Sequence, residues 1–135
     1  MSYAILWPDP LQTSPLPGGR GLSRVTKEWR VYSERIHDSI ILPVGFEFDW
    51  DSLKRWMPLS YAWLKGRAKL SSAIHDKLYR TGTTSGGKKI SRRKADLVMY
   101  DCMVKEGIAL RHRLAIYYGV RTGGWVSWRR YRKND

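Results

Sequence analysis

The chain has 135 residues, with 25 Lys and Arg against 12 Asp and Glu, which gives a formal net charge of +13. A composition of 42% hydrophobic and 27% charged residues is typical of a folded protein. The length suits a single domain over residues 1–135. The one cysteine excludes an internal disulfide. The excess positive charge favours polyanionic partners such as nucleic acid, anionic lipid or anionic envelope polymers.

The first 24 residues are predicted to contain little regular structure. Residues 3–7 form a short apolar run that predicts an edge strand, and the absence of a basic flank argues against a signal peptide or an anchor. Residues 8–24 are rich in Pro and Gly, so they are predicted to form an irregular segment. No segment reaches the ~18 apolar residues of a membrane span, and we expect a protein made in the cytoplasm.

Two strands are predicted next, over residues 25–36 and 40–48. Turn-forming residues at 37–39 separate the two runs, which predicts an antiparallel hairpin. Pro43 cannot donate to a ladder, so it places the second strand at a sheet edge or a bulge. In the second strand every second residue is apolar, which indicates that one face of the strand is buried. These residues are Ile40, Leu42, Val44, Phe46 and Phe48.

Two helices are predicted in the centre of the chain. The first covers residues 67–80 and carries an apolar stripe at helical spacing. After a flexible connection at residues 81–89, Ser91 is the predicted N-cap of a second helix over residues 92–106. Gly107 is the expected stop of that helix.

The C-terminal region predicts a third helix over residues 108–118, ended by Gly119. Residues 121–135 form a tail in which basic and aromatic residues alternate. The resulting fold class is α+β, with a small antiparallel N-terminal sheet followed by about three helices. A His/Asp site is predicted between the two central helices.

The residue types of that site suggest acid–base chemistry. His75 and Asp76 are consecutive on a helix, so their side chains point about 100° apart and cannot pair with each other. Asp96 lies on the next helix, packed roughly 8–10 Å away, where it can orient His75 to take a proton from water. Asp76 is then predicted to bind a divalent cation together with oxygens from Asp49 or Asp51.

The same residues also fit a structural interpretation. A hydrogen-bond network between helices is the more common role for buried polar residues of this kind. Asp51 or Ser52 is equally suited to cap a helical turn beginning at Leu53. The residues alone leave both interpretations open.

Three motifs follow one another within residues 40–124. They are GF-x-x-D-x-x-S-x-x-R starting at Gly45, HD-x-x-Y starting at His75, and a later AD at Ala95 with Met103 downstream. In this order they resemble an uncharacterised family of small proteins encoded by tailed bacteriophages and prophages. The resemblance implies a viral protein of the virion or tail, made in the host cytoplasm and assembled with other virion or tail proteins. The motif residues expected to support the site are Ser52, Arg55 and Tyr79.

A weaker resemblance, carried by HD-x-x-Y and the later Asp, is to the calcium-dependent secreted and parvoviral phospholipases. It implies that His75 is the catalytic base, that Asp96 orients it, and that Asp76 binds calcium, with Tyr79 as the matching tyrosine of the motif. The glycine-rich calcium loop of those enzymes is replaced here by residues 46–52, and the disulfides of the secreted enzymes are absent.

Three functions follow from these patterns. The first is a phospholipase-like hydrolase that uses a His-Asp dyad on the lipid or polymer of the host envelope. The second is a non-enzymatic structural or adaptor protein of the phage tail, in which His75 is a buried structural group. The third is a basic nucleic-acid-binding protein that uses residues 88–94 and 125–133, where cations and aromatic residues lie close together. No recognised nucleic-acid motif supports the third function.

Overall fold

Two small antiparallel sheets come first in the chain, and the helices follow them. The computed structural model describes residues 3–7, 9–16, 22–49 and 69–133. Its strands are β1 (Ile5–Leu6), β2 (Thr13–Pro15), β3 (Leu22–Val25), β4 (Trp29–Ser33), β5 (Asp38–Leu42) and β6 (Glu47–Asp49). Its helices are α1 (Lys69–Thr81), α2 (Arg92–Lys105), α3 (Leu110–Gly123) and α4 (Trp125–Lys133). The predicted α+β class is confirmed.

The first sheet has the strand order β1-β4-β5. Strands β4 and β5 pair antiparallel from Trp29 opposite Leu42 to Ser33 opposite Asp38, which confirms the predicted hairpin. Alternate residues of β4 are buried because one face of the sheet lies on the core. The turn occupies residues 34–37, slightly earlier than predicted, and His37 adopts a φ of 50° within it.

The second sheet, in the order β2-β3-β6, corrects two predictions. Residues 8–24 are not wholly irregular, because β2 lies within them and pairs with β3. Residues 40–48 are not one strand, since β5 ends at Leu42 and β6 belongs to the other sheet. Pro43 cannot extend the ladder, and Gly45 turns the chain with a φ of +89°.

The two central helices lie where they are predicted, and the segment between them contains a backbone pairing that the sequence did not predict. Ser91 caps α2 by accepting a hydrogen bond from the Lys94 backbone N–H at 3.1 Å, and Gly107 follows its end with a φ of +79°. The connection at residues 81–89 forms a turn with an antiparallel bridge between Thr83 and Lys89.

The C-terminal region differs from the prediction. Gly119 does not end α3, which continues to Gly123. A glycine inside a helix costs only about 1 kcal/mol relative to alanine, and the buried residues Ile116 and Val120 hold the helix on the core across it. Within the predicted tail, residues 121–123 belong to α3 and residues 125–133 form the helix α4.

The core lies between the sheets and the helices α1 and α2. It is built from fully buried apolar side chains, among them Val31, Ile40, Leu42, Phe48, Ile74, Leu78, Val98 and Met99. In the part of the chain that the structure describes, no helix combines the length and the apolar character needed to cross a bilayer.

Candidate active site

Helices α1 and α2 pack against each other and carry the central polar residues of the fold. On α1, His75 and Tyr79 are one turn apart and lie beside the buried residues Ile74 and Leu78. On α2, Asp96 lies within a run of buried residues. The helical spacing of apolar residues therefore turns these polar side chains toward the contact between the two helices.

His75, Tyr79 and Asp96 meet at one carboxylate oxygen. His75 Nε2 lies 3.2 Å from Asp96 Oδ1, and the Tyr79 hydroxyl donates to the same oxygen at 2.6 Å. The His75 and Tyr79 rings are tilted against each other, with centroids 4.0 Å apart. His75 is only 6% exposed and Asp96 is fully buried. The structure thus brings together three of the predicted site residues.

Two arginines that the sequence analysis missed bind the other oxygen of Asp96. Arg121 of α3 donates to Oδ2 at 2.8 Å, and the Arg92 guanidinium lies 3.5 Å from the same atom. Arg92 precedes Asp96 by four residues on α2, a spacing that could have indicated the pair. Arg121 comes from a different helix, so no local pattern indicates it.

The surroundings hold Asp96 ionised and Tyr79 protonated. Burial alone would raise the pKa of Asp96, but the hydrogen bonds from His75, Tyr79 and Arg121 outweigh it and lower that pKa below its usual value. Burial, reinforced by the neighbouring Asp96 charge, raises the pKa of Tyr79 far above its usual value. Tyr79 is therefore a permanent hydrogen-bond donor and Asp96 a permanent acceptor near neutral pH.

This electrostatic arrangement selects the tautomer of His75. An ionised carboxylate can only accept hydrogen bonds, so Nε2 is assigned the ring proton that points at Asp96. The neutral ring then carries its lone pair on Nδ1. A histidine held in this way can accept a proton on Nδ1 while Asp96 stabilises the resulting imidazolium.

The remaining predicted residues are only partly placed. Asp76 follows His75 on α1 and is partly exposed. Asp49 ends β6, a strand that packs against α1 and is tied to it by a 2.7 Å hydrogen bond from Arg80 to the Glu47 carbonyl. The side chain of Asp49 and the whole of Asp51, Ser52 and Arg55 lie outside the described residues. Among the residues that are described, no three His, Cys, Asp or Glu side chains gather as a metal site.

Replacing Tyr79 with Phe tests the hydrogen bond to Asp96. We expect the free energy of unfolding to fall by about 1.5–3 kcal/mol, because a buried hydrogen bond to a charged group is lost. Urea unfolding followed by circular dichroism measures the change. The same substitution at Tyr118, which is 62% exposed on α3, is the control and should have little effect. Equal stability of the two variants would contradict the assigned bond.

Comparison with known proteins finds a matching family model. Neither the curated proteins nor the solved structures contain a match to this chain. The model of a family described as a protein of unknown function, DUF1353, matches residues 23–120. That region includes His75, Tyr79 and Asp96 and stops one residue before Arg121. Because the match covers well over half of the sequence, the chain belongs to the DUF1353 family.

Proposed function

We propose that the protein is a His-Asp hydrolase of a tailed bacteriophage that cleaves an ester bond of phospholipid in the host envelope. The observation that carries the proposal is the buried contact between His75 Nε2 and Asp96 Oδ1, which Tyr79 reinforces. The sequence resemblance to phospholipases supplies the substrate class, and the resemblance to phage proteins supplies the setting in the virion or tail.

The proposed mechanism uses the lone pair on His75 Nδ1. That nitrogen removes a proton from a water molecule, and the water oxygen attacks the carbonyl carbon of the ester. When the tetrahedral intermediate collapses, the bond to the alcohol oxygen breaks and Nδ1 returns its proton to that oxygen. The products are a free carboxylic acid and an alcohol. Asp96 keeps the ring oriented and stabilises its charged form throughout.

A divalent cation, calcium by resemblance, is part of the proposal. Carboxylate oxygens are the ligands that calcium prefers, so Asp76 and Asp49 fit by donor type. Asp76 neighbours His75 on α1, and the strand that ends at Asp49 packs against the same helix. When bound, the cation would polarise the ester carbonyl and stabilise negative charge on its oxygen.

A structural role for the same cluster is the second candidate, and the two arginines favour it. Arg121 and Arg92 bind Asp96 Oδ2, whereas His75 contacts the other oxygen, Oδ1. Asp96 thereby links α1, α2 and α3 through one buried carboxylate. A link of this kind is what a structural role in a non-enzymatic tail protein requires.

The proposal is tested by incubating the protein with vesicles of diacyl phosphatidylglycerol and phosphatidylethanolamine, with calcium or with a chelator. We expect fatty acid and lysophospholipid to appear in molar excess over the protein, measured by mass spectrometry. Loss of product in the chelator would support the cation, and unchanged product would reject it. If no product forms under either condition, the phospholipase proposal is wrong and the structural role is favoured.

A further inference from the structure

The helix α4 has an outer face that combines apolar and basic side chains. They form two adjacent rows along the helix, residues 125, 129 and 133 in one and residues 126 and 130 in the other, with members of each row one helical turn apart. Trp125 is 47% exposed and Val126 is 45% exposed, and the Arg129 guanidinium lies 5.1 Å from the centre of the Trp125 ring. We call this set the α4 outer face; it consists of Trp125, Val126, Arg129, Arg130 and Lys133.

The opposite side of α4 is bound to the rest of the fold. Trp128 meets the Tyr79 ring edge-on, with centroids 5.2 Å apart. Arg132 donates to the backbone carbonyls of Tyr79 at 2.7 Å and Arg80 at 2.8 Å, near the end of α1. These contacts fix the rotation of α4, so the α4 outer face is presented to solvent as part of the native fold.

Every formally charged residue in the surrounding sequence is basic. Residues 107–133 contain no Asp or Glu, and they carry seven cations: Arg111, Arg113, Arg121, Arg129, Arg130, Arg132 and Lys133. On the α4 outer face itself, Arg129, Arg130 and Lys133 are all exposed. A surface of this charge is complementary to an anionic partner.

The apolar residues decide which anionic partner fits best. Trp is favoured at the headgroup level of a bilayer, where its ring is buried among lipid while its N–H stays hydrated. Transfer of the exposed Val126 side chain from water into lipid is favourable in free energy, whereas contact with a phosphate backbone offers an apolar side chain no such stabilisation. Basic residues that flank such an apolar patch are typical of helices that lie in the membrane interface.

We propose that the α4 outer face docks the protein on an anionic lipid bilayer. Trp125 and Val126 enter the headgroup region, while Arg129, Arg130 and Lys133 contact lipid phosphates. The surface is separate from His75 and Asp96, and docking does not require that the proposed hydrolase reaction occurs.

Sedimentation with vesicles of ether-linked lipid tests docking separately from hydrolysis, because ether lipids contain no acyl ester. We expect the protein to bind dialkyl phosphatidylglycerol vesicles, to bind dialkyl phosphatidylcholine vesicles much less, and to be released by salt. The double variant Arg129→Gln/Arg130→Gln should weaken binding about 25-fold, on the basis of about fivefold per cation. Trp125→Ala should weaken it about tenfold.

The matched control is Lys88→Gln/Lys89→Gln, which removes the same charge from an exposed turn on another part of the fold. It should change binding less than about threefold. Unchanged urea midpoints would show that the surface variants fold. The proposal is overturned if the wild-type protein does not bind anionic vesicles or if the control weakens binding as much as the α4 double variant. It is also overturned if the α4 variants lose binding to single-stranded DNA while keeping their binding to vesicles.

Discussion

Replacing Asp96 with Ala is expected to lower the free energy of unfolding by about 3–5 kcal/mol, the cost of removing one partner from a buried ion pair. Asp96 is fully buried and accepts hydrogen bonds from Tyr79 and Arg121. Without the carboxylate, the Arg121 and Arg92 guanidinium groups lose their anion and the Tyr79 hydroxyl loses its acceptor. Urea unfolding followed by circular dichroism measures the loss.

The control for this substitution is Asp9→Ala, because Asp9 is an exposed carboxylate far from the cluster in sequence. Its effect should stay within about 0.5 kcal/mol. A decrease in the free energy of unfolding below about 1 kcal/mol for Asp96→Ala would contradict the assigned ion pairs, because removing a buried carboxylate with these partners should destabilise the fold by more than that.

The stabilisation by Asp96 should also depend on pH. Its pKa in the folded state is lowered below the ordinary value of 3.8, so its contribution is fully present above that value. The contribution is lost as the pH falls through the folded-state pKa, because the carboxylate must then take up a proton. The stability difference between wild type and Asp96→Asn should therefore be larger at neutral pH than in acid.

The parts of the fold that local patterns determine were predictable from the sequence. The β4–β5 hairpin follows from two alternating runs around a turn. The start of α2 follows from a serine whose side chain caps the first turn. The approach of His75 to Asp96 follows from polar residues at the edges of two apolar stripes on consecutive helices.

The parts that long-range packing determines were not predictable in the same way. The alternation of residues 40–48 has the period of one strand, yet Pro43 and Gly45 divide it between two sheets. Glycine commonly ends a helix, so Gly119 is the expected end of α3. The helix continues to Gly123 instead, and Val120, the next residue, is buried in the core. Arg121 reaches Asp96 from 25 positions away, a distance that no helical or strand period covers.

Replacing His75 with Gln is expected to remove activity while leaving most of the network in place. The glutamine amide can donate a hydrogen bond toward Asp96 as Nε2 does, but it cannot accept a proton near neutral pH. Loss of a general base lowers a rate by about 10²- to 10⁴-fold. His112→Gln makes the same change on α3, outside the Asp96 cluster, and should retain wild-type activity.

Comparison with Tyr79→Phe separates the chemical role from the structural one. That variant loses a hydrogen bond to Asp96 but keeps the imidazole, so we expect lower stability together with substantial activity. His75→Gln should show the reverse, with activity lost and stability largely kept.

The most direct test of the central claim is the initial rate of fatty acid release from diacyl phosphatidylglycerol vesicles by wild type and His75→Gln, under conditions where both are fully folded. The proposal predicts multiple turnovers for wild type and a rate at least about a hundredfold lower for the variant. Equal rates for the two folded proteins would contradict it, because His75 would then be a structural residue of the Asp96 network.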